Sequence, residues 1–187
     1  MLKKSLVVAC VALAGILCGC ESPYAPAPQT MPQHIKKLAI RPFINNTPTS
    51  GLEQKLTLAV VNEFVRDGRF AIASNEADAD GVVVGEIKRY ILQPLTYDQN
   101  LITTQYKLWV VLNLYFVDKA NNVTLWTEPN MEGMQVYYDA SQPGGRTEDE
   151  VRDILWDSLS RDIVKRTIEG FGSVQGGSER KIPAQAQ

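Results

Sequence analysis

The sequence predicts an α+β fold in which two helices pack on one face of a mixed or antiparallel sheet of four to five strands. Two stretches place apolar residues at helical spacing, and each follows a Ser/Thr-x-x-Glu pattern typical of a helix start. The segments between and around them are β-prone and bounded by turn residues. Their order, in which a strand and a helix are followed by a run of strands and a last helix, is typical of a sheet that helices cover on one side.

The first part of the folded region is predicted to form a strand, a helix and a second, short strand. The first strand covers residues 37–43. The helix begins at a capping box formed by Ser50 and Glu53, and it ends at Gly68. The short strand covers residues 70–73. The apolar stripe of the helix consists of Leu52, Leu56, Ala59, Val60 and Phe64.

The second part is predicted to form a meander of strands and a final helix. The strands cover residues 81–92, 103–117 and 123–127, with a possible further strand over 132–138. Thr147 and Glu150 form a second capping box, and the helix runs to about Glu169 and stops at Gly170. Its predicted buried stripe consists of Val151, Ile154, Leu155, Leu159, Ile163 and Ile168.

The long strand over residues 103–117 has one clearly apolar face, formed by Tyr106, Leu108, Val110, Leu112, Leu114 and Phe116. The opposite face is mixed and carries Lys107, Trp109, Val111, Asn113, Tyr115 and Val117. Exposed aromatic surface of this kind commonly marks an interaction site, so Trp109 and Tyr115 are candidate partner contacts. The alternative is that a loop or the C-terminal tail covers them.

Three basic residues lie near this mixed face. Lys88 and Arg89 are on one strand and Lys107 is on the next. An anionic lipid head group would bind such charges. The alternative is that they are solvated, or that they form cross-strand ion pairs with Glu86.

The N-terminus has the pattern of a bacterial lipoprotein signal that ends at Cys20. Two lysines precede a short apolar run, which closes with Leu17-Cys18-Gly19-Cys20. The apolar run is shorter than the roughly twenty residues that a membrane-spanning helix needs. We therefore expect cleavage before Cys20 and acylation, including palmitate, of that residue. A membrane anchor helix or a secretory signal that ends elsewhere are the alternatives.

The chain thus divides into four segments. Residues 1–19 form the signal peptide, 20–35 a lipidated proline-rich tether, 36–171 the folded domain and 172–187 a disordered tail. The formal net charge of −2 argues against a nucleic-acid-binding protein.

The sequence lacks the residue patterns of the common catalytic and metal centres. The single histidine, His34, lies in the tether, which does not hold a base rigidly against a substrate. No GxSxG motif, phosphate-binding glycine loop or metal-ligand cluster is present in the sequence. We therefore expect no enzymatic activity, no cofactor and no metal.

Several segments, in this order, resemble the LptE family of lipopolysaccharide-assembly lipoproteins. They are KKLAIRPFINNT at 36–47, GLEQ at 51–54, NEFVRDGRF at 62–70, ADAD at 77–80, GEIKRY at 85–90, YKL at 106–108 and LW at 125–126. The resemblance covers residues 36–170. It implies an outer-membrane lipoprotein that plugs an LptD-like β-barrel, assists its assembly, and binds lipopolysaccharide during transport to and insertion into the outer membrane.

The resemblance also implies an anchor on the periplasmic side of the outer membrane, with the barrel and lipopolysaccharide as partners. In enteric members, a basic residue before the long strand contributes to lipopolysaccharide binding, but residues 96–102 contain no Lys or Arg. Lys88, Arg89 and Lys107 are the candidates to take over this role. The alternative is a protein that is chiefly a plug.

A second functional hypothesis is a lipoprotein regulator of a peptidoglycan synthase. Such a regulator has to reach across the periplasm, whereas a tether of about fifteen residues spans only roughly 50 Å at ~3.3 Å per residue. A periplasmic hydrolase would need a polar cleft, which the sequence does not predict.

Overall fold

The computed structural model describes residues 31–169, and these form one mixed sheet covered on one face by two helices. This confirms the predicted fold class. The elements are β1 (Lys37–Ile40), β2 (Ile44–Asn45), α1 (Leu52–Asp67), β3 (Ala71–Ile72), a short 3₁₀ turn (Glu76–Asp78), β4 (Gly81–Tyr97), β5 (Thr103–Asp118), β6 (Val123–Tyr138) and α2 (Glu148–Glu169).

The sheet combines a parallel edge with an antiparallel meander. Its strand order is β3-β1-β4-β5-β6, and β2 pairs with β4 beyond the end of β1. β1 runs parallel to β3 and β4, whereas β4, β5 and β6 are antiparallel. The sheet has six strands: the strand predicted over 37–43 ends at Ile40, and the short strand β2 at Ile44–Asn45 was not predicted.

The meander strands are longer than the sequence predicts. β4 continues beyond position 92 to Tyr97, and the segments 123–127 and 132–138 belong to one strand, β6. A bulge joins the two halves of β6: Asn130 has a φ of 56°, and the register with β5 shifts between Leu112 and Leu114. The Pro129-Asn130 sequence therefore bends β6 without ending it.

The predicted capping box of α1 is wrong. The N-cap is Gly51, with a φ of 79° and no side-chain cap bond, and Glu53 instead accepts a hydrogen bond of 2.9 Å from Asn45 Nδ2. The carboxylate thus ties the helix start to β2. The C-terminus is as predicted: Gly68 has a φ of 73°, and its N–H donates to Phe64 O at 3.1 Å.

The capping box of α2 is confirmed. Thr147 N donates to Glu150 Oε2 at 2.8 Å, and Glu150 N donates to Thr147 Oγ1 at 3.3 Å. The predicted end of this helix at Gly170 and the predicted tail over 172–187 lie outside the described residues.

The buried stripe of α2 is rotated from the predicted one. Ile154 is 39% exposed, whereas Trp156 and Val164, which the prediction omitted, are buried. Trp156 lies in the groove between the helices beside Ala59, so the stripe turns toward α1 as well as toward the sheet. The residues on the predicted stripe that are fully or nearly fully buried are Val151, Leu155, Leu159 and Ile163, and Ile168 packs at its edge.

The main core lies between the helices and the apolar face of β5, which we call the helix face of the sheet. The α1 stripe is confirmed: Leu52, Leu56, Val60 and Phe64 are buried, and Ala59 packs against them. On β5 the predicted apolar face is also confirmed, with Leu108, Val110, Leu112, Leu114 and Phe116 all fully buried and Tyr106 stacked on Tyr137.

Candidate interaction surface of the sheet

The side of the sheet away from the helices, which we call the open face, differs in cover along its length. Because side chains alternate along strands, the strand pairing assigns to it Val82, Val84, Glu86, Arg89 and Ile91 of β4, Lys107, Trp109, Val111, Asn113, Tyr115 and Val117 of β5, and Glu132, Met134 and Val136 of β6. The strands arrange these side chains in cross-strand rows.

At the end nearest β1, the loop over residues 73–80 covers the open face. Ala73 and Ala79 of this loop pack with Val82, Val84, Val117 and Tyr115 in a small second core. Arg41 holds the loop by donating to both carboxylate oxygens of Glu76, at 3.1 and 2.7 Å. A loop therefore does cover Val117 and part of Tyr115, as the alternative to an interaction site suggested.

In the middle of the open face, Glu86 is buried among neutral groups. Its carboxylate accepts hydrogen bonds from Asn46 Nδ2 at 3.4 Å, Asn113 Nδ2 at 3.4 Å and the Tyr115 hydroxyl at 3.3 Å. Burial, together with the negative charge of Glu86, raises the pKa of Tyr115 above its ordinary value. Within residues 31–169 Glu86 forms no ion pair, so the suggested cross-strand pairs with Lys88, Arg89 or Lys107 are not formed.

Beyond the row of Glu86, the open face carries first a charged row and then an apolar row. The charged row is Arg89, Val111 and Glu132, in which Val111 is buried and the two charged side chains are exposed.

Ile91, Trp109 and Met134 lie side by side in one row across β4, β5 and β6. Met134 is 61% exposed, and Val136 in the next row is also exposed. Trp109 is half-buried, and Lys107 Nζ lies 5.9 Å from its ring centroid. The sequence analysis identified Trp109 but missed Ile91 and Met134. The alternation of side chains along β4 and β6 would have placed both on the same face as Trp109.

The three candidate basic residues do not form one cluster. Arg89 pairs with Val111 and Lys107 pairs with Gln93, so the row of Trp109 separates them on the open face. Four strand positions correspond to about 13 Å. Lys88 occupies the extra position of a bulge between Ile87 and Arg89 and is exposed. The structure thus brings Arg89 and Lys107 to the two sides of Trp109.

The hairpin that joins β4 to β5 ends in exposed apolar side chains. Asp98 Oδ1 accepts from the N–H groups of Asn100 at 2.8 Å and Ile102 at 2.9 Å, which closes the turn. Leu101 has a φ of 62° and is 82% exposed, and Tyr97 and Ile102 are exposed beside it. A leucine in the left-handed region is uncommon, and the turn hydrogen bonds hold it there.

The start of the folded region is fixed at the opposite end of β5. His34 Nε2 lies 2.9 Å from Asp118 Oδ2, and Ile35 is buried in the main core. His34 is therefore held by the domain, contrary to the expectation that the tether leaves it mobile. Cys20 and the predicted signal peptide lie outside the described residues.

A protein-family comparison matches residues 35–168 to the LptE model, described as lipopolysaccharide assembly. The chain belongs to the LptE family. This membership identifies it as a lipopolysaccharide-assembly lipoprotein, as the resemblance in the sequence implied. No match was found among curated proteins.

Solved structures share the LptE-type fold of this chain at low sequence identity. Protein XCC0632 from Xanthomonas campestris superposes with a TM-score of 0.55 and 11% identity, over 74% of this chain and 90% of that one. The hypothetical protein CT253 from Chlamydia trachomatis has a TM-score of 0.52 and 14% identity, over 71% and 95% of the two chains. At these identities the similarity concerns the fold alone.

The described LptE domain shows neither a metal centre nor a membrane-spanning helix. Among residues 31–169, no group of three or more His, Cys, Asp or Glu side chains is placed to hold a metal ion. Neither helix in this range is long and apolar enough to cross a membrane.

Proposed function

We propose that this protein is an outer-membrane lipoprotein that plugs an LptD-like β-barrel and assists its assembly. It takes part there in lipopolysaccharide transport to and insertion into the outer membrane. This role is non-enzymatic, and it needs acylation of Cys20 to anchor the chain on the periplasmic side. The family match supports this function over regulation of a peptidoglycan synthase.

The observation that carries the proposal is the uncovered apolar row Ile91–Trp109–Met134 in a domain of the LptE family. A row of large apolar side chains is costly to leave in water, and such surfaces commonly become buried in a protein interface. Trp109 and Tyr115 are the proposed contacts to the barrel, since aromatic residues dominate the energy of protein interfaces.

For lipopolysaccharide, the proposed contacts are Arg89 and Lys107 on the open face and Lys88 beside it. Phosphate groups bind guanidinium and ammonium groups through charge-assisted hydrogen bonds. The hairpin over residues 96–102 contains no Lys or Arg and ends in exposed apolar side chains, so it offers no such contact.

Affinity purification from detergent-solubilised outer membrane tests the barrel partnership. The tagged full chain should retain a large β-barrel protein, and a photoreactive residue in place of Trp109 should crosslink to it. Depletion of the chain should leave lipopolysaccharide accumulating inside the cell. Recovery of a free lipoprotein, together with normal lipopolysaccharide export, would contradict the proposal.

Lipopolysaccharide binding is tested separately with the purified full chain. Replacing Arg89 and Lys107 together with alanine should weaken lipopolysaccharide retention. Lys165→Ala is the matched control, because this exposed lysine lies on α2, far from the open face. Equal retention by the double variant and the control would assign lipopolysaccharide binding to other residues.

A further inference from the structure

Glu86 is a buried carboxylate that forms no ion pair with any described residue. It is only 8% exposed, and all three of its hydrogen-bond donors are neutral. Their distances of 3.3–3.4 Å are longer than the 2.7–3.2 Å of ordinary hydrogen bonds. A buried charge is costly unless it is paired, so these long contacts compensate only part of its lost hydration.

The basic residues nearest along the chain do not supply the missing charge. Lys88 and Arg89 follow Glu86 on β4, but both are exposed and neither forms an ion pair with it. On the other side, the second core of Val84, Val117 and Tyr115 is apolar apart from the tyrosine hydroxyl. Within residues 31–169, the Glu86 carboxylate is therefore open to a cationic partner from outside the described domain.

The residues around Glu86 on the open face restrict which kind of cationic partner can bind there. A metal ion would need further carboxylate, histidine or thiolate ligands, and residues 31–169 provide no such group of three. A lipopolysaccharide phosphate would be repelled by the Glu86 carboxylate. The row of Ile91, Trp109 and Met134, two rows from Glu86, would instead accommodate the apolar part of a protein surface, and the exposed charges of Arg89 and Glu132 lie in the row between.

We infer that the open face is a protein interface in which Glu86 binds a lysine or arginine side chain of the partner. The apolar residues around that partner cation pack on Ile91, Trp109 and Met134. This inference rests on the proposed function, in that the partner is the LptD-like barrel. This interface would also include Arg89, one row from Glu86, whereas Lys107 lies three rows away and remains available to contact lipopolysaccharide.

The test is Glu86→Gln in the full chain, measured in two ways. Glutamine keeps an oxygen for Asn113 and Tyr115, and its amide can bond a reoriented Asn46, but it removes the charge. The unfolding temperature of the purified full-length variant should therefore stay unchanged or rise. Its binding to the barrel should fall, because hydrogen bonds to charged groups contribute about 1.5–3 kcal/mol, or roughly a 10- to 100-fold change in affinity.

Binding is measured by competition in cells that contain both the variant and wild-type chains, each with its own tag. The barrel is purified, and the ratio of the two bound lipoproteins gives their relative affinity. Glu132→Gln is the matched control, because Glu132 is an exposed acid on the same face, one row from Glu86. Its ratio should be close to one.

Two results would overturn the inference while the proposed function stands. One is a barrel that binds Glu86→Gln as well as wild type. The other is a variant that loses binding but also unfolds at a clearly lower temperature, which would make Glu86 a folding residue. If the wild-type chain itself retains no barrel, the proposed function fails and the inference fails with it.

Discussion

The two faces of β5 are covered to very different extents. On the helix face, Leu108, Leu112 and Phe116 are fully buried along the whole contact with α1 and α2. On the open face, burial along the same strand is uneven: Val117 under the loop and Val111 are buried, whereas Tyr115 and Trp109 are only half-buried. The chain supplies its own cover for one face and for only one end of the other. The uncovered end is therefore where a partner would add most buried surface.

The largest expected effect on stability comes from a substitution that creates a cavity on the helix face. Leu112→Ala should lower the free energy of unfolding by about 2–5 kcal/mol, because it removes buried methyl groups and leaves a void. Met134→Ala, on the exposed side, should change it by less than about 0.5 kcal/mol. Denaturant titration of both purified variants measures the difference. Similar losses in the two variants would contradict the unequal cover of the faces.

A second, smaller effect on stability is expected at Asp118, the last residue of β5, which contacts His34 near the start of the described chain. Asp118 is 1% exposed and accepts hydrogen bonds from Asn121 and His34. Burial opposes its ionisation, but these bonds outweigh that effect and hold the pKa of Asp118 below its ordinary value. A lowered pKa in the folded state stabilises the domain above the unfolded pKa of about 3.9, and this stabilisation is lost as the pH falls through the folded value.

Asp118→Asn should therefore cost about 1–3 kcal/mol at neutral pH, and the variant should lose less stability than wild type on acidification below about pH 4. Unfolding free energies measured from pH 7 to pH 3 check both points. Asp153→Asn is the control, since Asp153 is an exposed acid paired with Lys55 across the two helices. Parallel pH profiles for wild type and Asp118→Asn would rule out this role.

A smaller effect on folding is expected at Trp109. Because the Trp109 side chain is half-buried and lies on the open face, Trp109→Ala should lower the free energy of unfolding by only about 1–2 kcal/mol. Retention of the barrel should fall markedly, as for aromatic residues at the centre of interfaces. A large loss of stability in the isolated chain would instead show that Trp109 belongs to the fold.

The sequence predicted the parts of the fold that depend on local patterns. The alternation in β5, the stripe of α1 and the capping box at Thr147 are all set by near neighbours. The predictions were wrong where contacts with residues outside the local segment determine the structure. Glu53 bonds Asn45 instead of capping α1, and Asn130 bends β6 without ending it.

The candidate surface was predictable only in part for the same reason. The alternation of side chains in β5 was enough to identify Trp109 as a residue of the open face. The burial of Glu86, in contrast, depends on Asn46, Asn113 and Tyr115, which come from the segment after β2 and from β5. The contact between His34 and Asp118 joins residues 84 positions apart. No spacing rule within one segment reveals such pairs.

The contact between His34 and Asp118 also has a mechanical consequence. Two and three residues after His34, the N–H groups of Lys36 and Lys37 both donate to Asp80 Oδ2, at 2.9 and 2.8 Å. Tension applied to the chain before His34 would thus pass first to the adjoining ends of β4 and β5, and would act on β1 along its length. Parallel strands loaded in this direction must break several hydrogen bonds at once. If Cys20 carries the proposed lipid, force on that anchor would load these contacts before it reaches the rest of β1.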